Sequence, residues 1–220
     1  MKRIISILTA AVLLLGMVLM LTGCNDQKKL VGTWEAQLNL AQAMMDEMDL
    51  GEELGDDFTI DQFIVTMILE LRDDGTYTAS IEETSMKTAF EGLLTEMEGA
   101  MRTMMEKEME SSGAGMSADE MLGLLGMTMD ELIRSLMDEL RASLEEDDVI
   151  NNSLEEAKTQ GKWTAKSGKL YLSDEPDEAV SEDDFEVYKL DGNTMTWTEH
   201  TGDDLLELEG LYPVVWNKAA

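Results

Sequence analysis

The sequence is short of the residues from which most active sites are built. It has one cysteine, Cys24, and one histidine, His200. No disulfide can form within the chain, and no multi-histidine metal site can be assembled. Basic residues are also scarce: 16 Lys and Arg stand against 47 Asp and Glu, for a formal net charge of −31. Such a chain repels nucleic acid, whose binding relies on basic contacts to phosphates. Aromatic residues make up only 5%, a poverty that with acidity can signal disorder, but 44% of the residues are hydrophobic and strongly periodic, so a folded chain is expected. No glycine-rich phosphate loop is present. Carboxylate pairs are so abundant that none stands out as an acid–base pair. Asp56-Asp57 and Glu182-Asp183-Asp184 lack the alternating order of a calcium loop. The expectation is a non-catalytic chain with no cofactor and no metal. His200, within Glu199-His200-Thr201-Gly202-Asp203-Asp204, is expected to be a solvated loop residue.

What is present begins with a leader. Lys2 and Arg3 precede an uncharged apolar run from Ile4 to Leu21, followed directly by Leu21-Thr22-Gly23-Cys24. That order is the signature of a secretory signal, and the tetrapeptide resembles the lipobox of bacterial lipoproteins, cleaved before a lipidated cysteine. The resemblance implies a signal peptide over 1–23, a lipid anchor on Cys24 and a short tether over 24–30. The partner of that anchor is the lipid bilayer, with the protein on the extracytoplasmic face of the cell membrane. Each buried methylene of an acyl chain adds roughly 0.8 kcal/mol, so two or three chains hold firmly.

Beyond the tether, period-two alternation appears at Trp34, Ala36, Leu38 and Leu40, again from Phe63 to Leu71, and at Tyr77, Ala79 and Ile81. These are strands with one buried face. Asp73-Asp74-Gly75 makes a hairpin turn between the last two. From about Thr84 to Thr159 the apolar spacing becomes three and four. One stripe runs through Phe90, Leu93, Leu94, Met97, Met101, Met104, Met105 and Met109, a second from Met129 to Leu144. Between them lies a small repeat, each copy opening with a capping box: Ser117 with Glu120, and Thr128 with Glu131. This is a helical hairpin with a short helix at its bend. Strands resume at Lys162–Ala165, Leu170–Leu172, Phe185–Leu190, Thr194–Thr198 and Leu211–Trp216. The fold class is therefore mainly β with an α insertion: an eight-stranded antiparallel up-and-down barrel over 31–83 and 160–217, with a Met-rich acidic helical hairpin at 84–159 between the third and fourth strands.

Gly32-Thr33-Trp34, opening the first strand soon after an export signal, resembles the Gly-x-Trp element of lipocalins. Asp74-Gly75-Thr76-Tyr77, Gly161-Lys162-Trp163 and Asp191-Gly192-Asn193-Thr194 are similar to phrases of lipocalin-like domains in bacterial lipoproteins. The resemblance covers the two barrel segments. It implies that Trp34 packs at the closed end of the barrel under a basic residue from the last strand, for which Lys218 is the candidate.

In an up-and-down meander the tight turns at Asp73–Gly75, Ser167–Gly168 and Asp191–Asn193 share one end with the start of the first strand. The long connections, about 41–60, 84–159, 174–184 and 200–209, share the other and hold 36 acidic and 6 basic residues. Near the tight-turn end sit Lys28, Lys29, Arg72, Lys166, Lys169, Lys189 and Lys218 against Asp26, Asp73, Asp74 and Asp191, a modest basic excess that suits an anionic bilayer. Two functions fit. In one, the barrel binds a small apolar or amphipathic ligand under the helical hairpin as a lid, with Trp34, Met67, Tyr77, Met97, Met101, Met104 and Trp197 as ligand-binding residues. In the other, Trp34, Leu38, Phe63, Met67, Tyr77, Trp163, Tyr171, Trp197 and Trp216 fill the barrel solidly. The chain is then a structural or interaction lipoprotein that presents its acidic loops and helices to a cell-envelope protein or to divalent cations.

Overall fold

Alternating side chains of period two give eight strands, and the strands close on themselves. A computed structural model describes residues 27–48, 58–111, 118–124, 126–146, 148–173, 179–202 and 210–219. The strands are β1 (Gly32–Asn39), β2 (Ile64–Leu71), β3 (Thr76–Ile81), β4 (Thr159–Lys166), β5 (Lys169–Leu172), β6 (Phe185–Asp191), β7 (Thr194–Thr201) and β8 (Val214–Lys218). They form a closed barrel in sequential order, and β8 returns to pair antiparallel with β1, Trp34 opposite Lys218 and Ala36 opposite Trp216. Closure gives each strand two neighbours, so the barrel has no edge strand among the described residues. The eight-stranded meander expected from the alternation is the fold observed.

The burial pattern follows the pleat. Trp34, Ala36 and Leu38 of β1 are buried, as are Val65, Met67, Leu69 and Leu71 of β2, while the residues between them are more exposed. One expectation fails here. Tyr171 was placed inside the barrel, but in β5 it is Leu170 and Leu172 that are buried, while half-buried Tyr171 packs on Phe185 of β6 with ring centroids 5.6 Å apart. In a four-residue strand of mixed aromatic and aliphatic residues, bulk suggested the wrong face; register with β4, Thr164 opposite Tyr171, decides it.

The tight turns behave as their residues require. Gly75, Gly168 and Gly192 have φ of 82°, 77° and 60°, the left-handed region that glycine enters without penalty. At the same end Lys218 N–H donates to the Asn193 carbonyl at 2.8 Å and Ala219 N–H to Thr33 at 2.9 Å, so the last strand, a tight turn and the start of β1 converge.

Helices α1 (Ala41–Met48), α2 (Glu83–Ser111), α3 (Ala118–Leu124), α4 (Met129–Glu146) and α5 (Val149–Glu156) complete the chain. The insertion between β3 and β4 holds the expected hairpin, α2 and α4 with the short α3 between them, and adds a fourth helix, α5; neither α5 nor α1 is among the elements expected from the sequence. Helix α1 is capped by Asn39, whose Oδ1 accepts from Ala41 N–H at 3.1 Å and also from Phe63 N–H at 3.0 Å. Leu94, Leu122, Met129, Ile133 and Met137 form a helical core, with Met101, Met105, Leu132, Leu140 and Leu144 packed against it. Both apolar stripes therefore meet as their spacing predicts. α3 ends in a Schellman motif: Met127 N–H donates to the Leu122 carbonyl and Gly126 N–H to Gly123, each at 3.1 Å. The chain divides into two compact units. One comprises Met1–Ala36, Met67–Ser80 and Ala157–Ala220, the other Gln37–Thr66 and Ile81–Glu156. No described helix is long and apolar enough to cross a membrane.

The second capping box is formed. Thr128 N–H donates to Glu131 Oε2 at 2.9 Å and Glu131 N–H to Thr128 Oγ1 at 3.2 Å; the first box, at Ser117, lies outside the described residues. Donation from the Thr128 backbone holds the Glu131 carboxyl below its ordinary value, and donation from Ser85 N–H does the same for Glu82 at the start of α2. A carboxyl lowered on folding stabilises the fold above the unfolded glutamate range, and that contribution is lost as pH falls through the lowered values. Helix content followed by circular dichroism should therefore decline below about pH 4.5, and the decline should be shallower in Glu82→Gln and Glu131→Gln. Thr128→Ala should cost about 1 kcal/mol at neutral pH, measured by urea denaturation.

Candidate functional site

Most of the barrel's inward positions are filled by large apolar groups. Trp34, Trp197, Trp216 and Tyr77 are inaccessible to solvent, and Trp163 nearly so. Two indoles are anchored: Trp34 Nε1 donates to the Leu30 carbonyl at 2.7 Å and Trp163 Nε1 to Arg72 at 2.9 Å. The first bond ties the helical turn at 27–30 to the start of β1. Lys218 Nζ lies 5.1 Å from the centroid of the Trp34 ring and donates to the Lys29 carbonyl at 3.0 Å, so the expected basic residue from the last strand is in place. Trp197 and Trp216 pack against one another with their rings tilted by 48° and centroids 4.9 Å apart, and their indole N–H groups meet no acceptor among the described residues.

Polar chemistry enters at the far end of β6, β7 and β8. Glu186 is 4% exposed. In β6 it falls on the same face as buried Tyr188, opposite His200 of β7, whereas Tyr188 is opposite Trp197. Its carboxylate accepts from the Tyr212 hydroxyl at 2.7 Å through Oε2, and its Oε1 lies 2.9 Å from His200 Nδ1. With Glu186 ionised it has no proton to give, and Nδ1 then carries the hydrogen of that contact. A buried carboxylate is costly unless its lone pairs are engaged, and here both oxygens are.

His200 is therefore not the solvated loop residue expected. It belongs to β7, which runs three residues past Thr198, and its side chain is 14% exposed. The physical reason is a bulge: the β6–β7 register shifts between Val187 and Tyr188, so Thr198 is extra and His200 turns to the face that simple alternation from Trp197 denies it. Glu186 is one acid among 47, and composition alone does not single it out. Its signal lay in Glu186, Tyr188 and Leu190, three alternate residues of which two are apolar or aromatic.

The remaining residues expected to bind ligand divide between the two units. Trp34, Met67, Tyr77 and Trp197 are buried strand residues of the first. Tyr77 also donates its hydroxyl to the Ser173 carbonyl at 3.1 Å, pinning β3 to the end of β5. Met97, Met101 and Met104 are half-buried on α2 in the second unit, and Met101 packs in the helical core. Cys24 lies outside the described residues.

A separate cavity of about 450 Å³ opens at the tight-turn end, lined by Lys29, Gly168, Tyr188, Leu190 and Gly192. Among the described residues no three His, Cys, Asp or Glu side chains are placed to hold a metal ion. No protein-family model, curated protein or solved structure matches the chain.

Proposed function

We propose that this chain is an exported lipoprotein, anchored through Cys24 on the outer face of the cell membrane. Its lipocalin-like barrel serves as a binding module for a small amphipathic ligand. The observation that carries the reading is the inward Glu186 carboxylate with His200 and Tyr212. Apolar walls with a few convergent polar groups are the usual make-up of a small-molecule site. An acceptor-rich cluster in a strongly acidic chain selects a ligand whose polar part donates hydrogen bonds or is cationic. The position of Lys218 over Trp34 supports the lipocalin-like reading of the barrel, since that resemblance implied the contact.

Two measurements test this. N-phenyl-1-naphthylamine, an apolar probe with one N–H donor, should bind the purified chain saturably with a rise in fluorescence, and Glu186→Leu should weaken uptake about tenfold, the loss of one charge-assisted hydrogen bond. No uptake by the wild-type chain removes the binding reading. Incorporation of labelled palmitate should be abolished in Cys24→Ser, and its persistence would refute the anchor.

A second reading has its own support. The complete burial of Trp34, Trp197, Trp216 and Tyr77 suits a barrel packed solid, in which case the acidic loops and helices are the working surface, offered to an envelope protein or to divalent cations.

A further inference from the structure

We propose that the cavity at the tight-turn end is a site for the phosphate-bearing headgroup of an anionic phospholipid, separate from the interior cluster at the loop end. The proposal rests on the reading that Cys24 is acylated.

Three observations combine. The first is position. Gly168 lies in the β4–β5 turn, Gly192 in the β6–β7 turn, and Lys29 in the helical turn before β1, so the opening belongs wholly to the end where the chain enters the barrel. Cys24 precedes Lys29 by five residues, a reach of at most about 18 Å for a fully extended chain. An acylated Cys24 therefore keeps this opening beside the headgroup layer.

The second is chemistry. Exposed Lys29 lines the opening together with Leu190 and the buried Tyr188, so a lysine stands beside an apolar wall. A Cβ at Gly192 would meet no atom within 4 Å, and one at Gly168 would meet only the Tyr188 carbonyl at 3.5 Å, so the two turns leave the rim unobstructed. About 450 Å³ is within the range of small-molecule pockets and much larger than a free phosphate requires. A charged contact next to an apolar wall suits a phosphodiester followed by glycerol and the first methylenes.

The third is the field. Lys166, Lys169 and Lys189 belong to the strands flanking the opening, and Lys218 bonds the carbonyl of Lys29 itself. Against them at this end stand Asp73, Asp74 and Asp191, with Asp26 close before Lys29 in the sequence. In a chain of net charge −31, a local basic excess at the membrane-proximal end favours anionic lipid over zwitterionic lipid.

The test uses the full chain in detergent, titrated calorimetrically with dihexanoyl-phosphatidylglycerol, dihexanoyl-phosphatidylcholine and inorganic phosphate. The wild type and Lys107→Glu, which makes the same charge change on α2, should bind the glycerol lipid alike. Lys29→Glu should bind it about tenfold more weakly, and phosphatidylcholine should bind the wild type less well than phosphatidylglycerol. Unchanged affinity in Lys29→Glu overturns the site, as does an absence of binding by the wild type. Inorganic phosphate binding as tightly as the lipid assigns the cavity to a free anion and overturns the headgroup. The mass of the N-terminal peptide, read on the same preparation, separates the two claims. An unacylated chain that binds the lipid refutes the tether alone, and an acylated chain that does not bind refutes the site alone.

Discussion

Gly161→Ala should destabilise the barrel by about 3 kcal/mol or more, the upper end of the range for forcing volume into a packed core. Gly161 lies in β4 directly opposite Tyr77 of β3. A Cβ built there would fall 2.0 Å from the Ser173 carbonyl oxygen and 3.0 Å from its carbon. The obstacle is backbone, so no side chain can swing aside. The same carbonyl accepts from the Tyr77 hydroxyl, and Ser173 Oγ accepts from Lys162 N–H at 2.8 Å, so moving Ser173 loosens three strands at once. Roughly 2–4 °C of melting temperature is lost per kcal/mol in a chain of this size, which puts the expected fall near 10 °C by thermal denaturation. A shift of a degree or two would show that β4 and β5 do not approach so closely.

Replacing either tryptophan of the Trp197–Trp216 pair by alanine should cost about 3–5 kcal/mol, the range for emptying a large buried aromatic site. Trp197 and Trp216 are both inaccessible to solvent, and they occupy diagonal inward positions on neighbouring strands, Trp197 opposite Val214 and Trp216 opposite Met195. Phenylalanine should behave differently. It keeps most of the ring and deletes an indole N–H that has no acceptor among the described residues. Removing an unmatched buried donor offsets part of the lost area, so Trp197→Phe and Trp216→Phe should fall within about 1 kcal/mol of the wild type. Trp34→Phe serves as the contrast, because it breaks the bond to the Leu30 carbonyl and strands that acceptor. Urea midpoints of the five variants should therefore fall into two groups, with both Trp→Ala variants and Trp34→Phe below the other two. Equal losses for Trp197→Phe and Trp197→Ala would contradict this account of the interior.

The barrel was legible because its strands obey one rule along most of their length. Trp34 to Leu38 and Phe63 to Leu71 alternate cleanly, and the turns between paired strands carry glycine where φ must be positive. Helical stripes of apolar residues were equally plain, and Met129, Ile133 and Met137 are buried at the spacing that defined them. What escaped was set by contacts distant in sequence. The bulge that turns His200 inward exists only in the pairing of β6 with β7. The need for glycine at 161 comes from Ser173, twelve residues on. Helix α1 has a local sign in Asn39, but that side chain is held in place by Phe63 N–H, just before β2 and distant in sequence. Glu186 was hidden by composition, since in a chain with 47 acidic residues only the register of β6 singles one out.

The proposed function stands on one claim, that the polar cluster at the loop end of the barrel receives a ligand. Organic extraction of the chain purified from its own membranes, followed by mass spectrometry, tests that claim most directly. About one donor-bearing amphipathic molecule per chain is expected from the wild type, with a much reduced yield from Glu186→Leu. A correctly folded wild-type barrel that releases nothing, or an identical yield from both proteins, would contradict it.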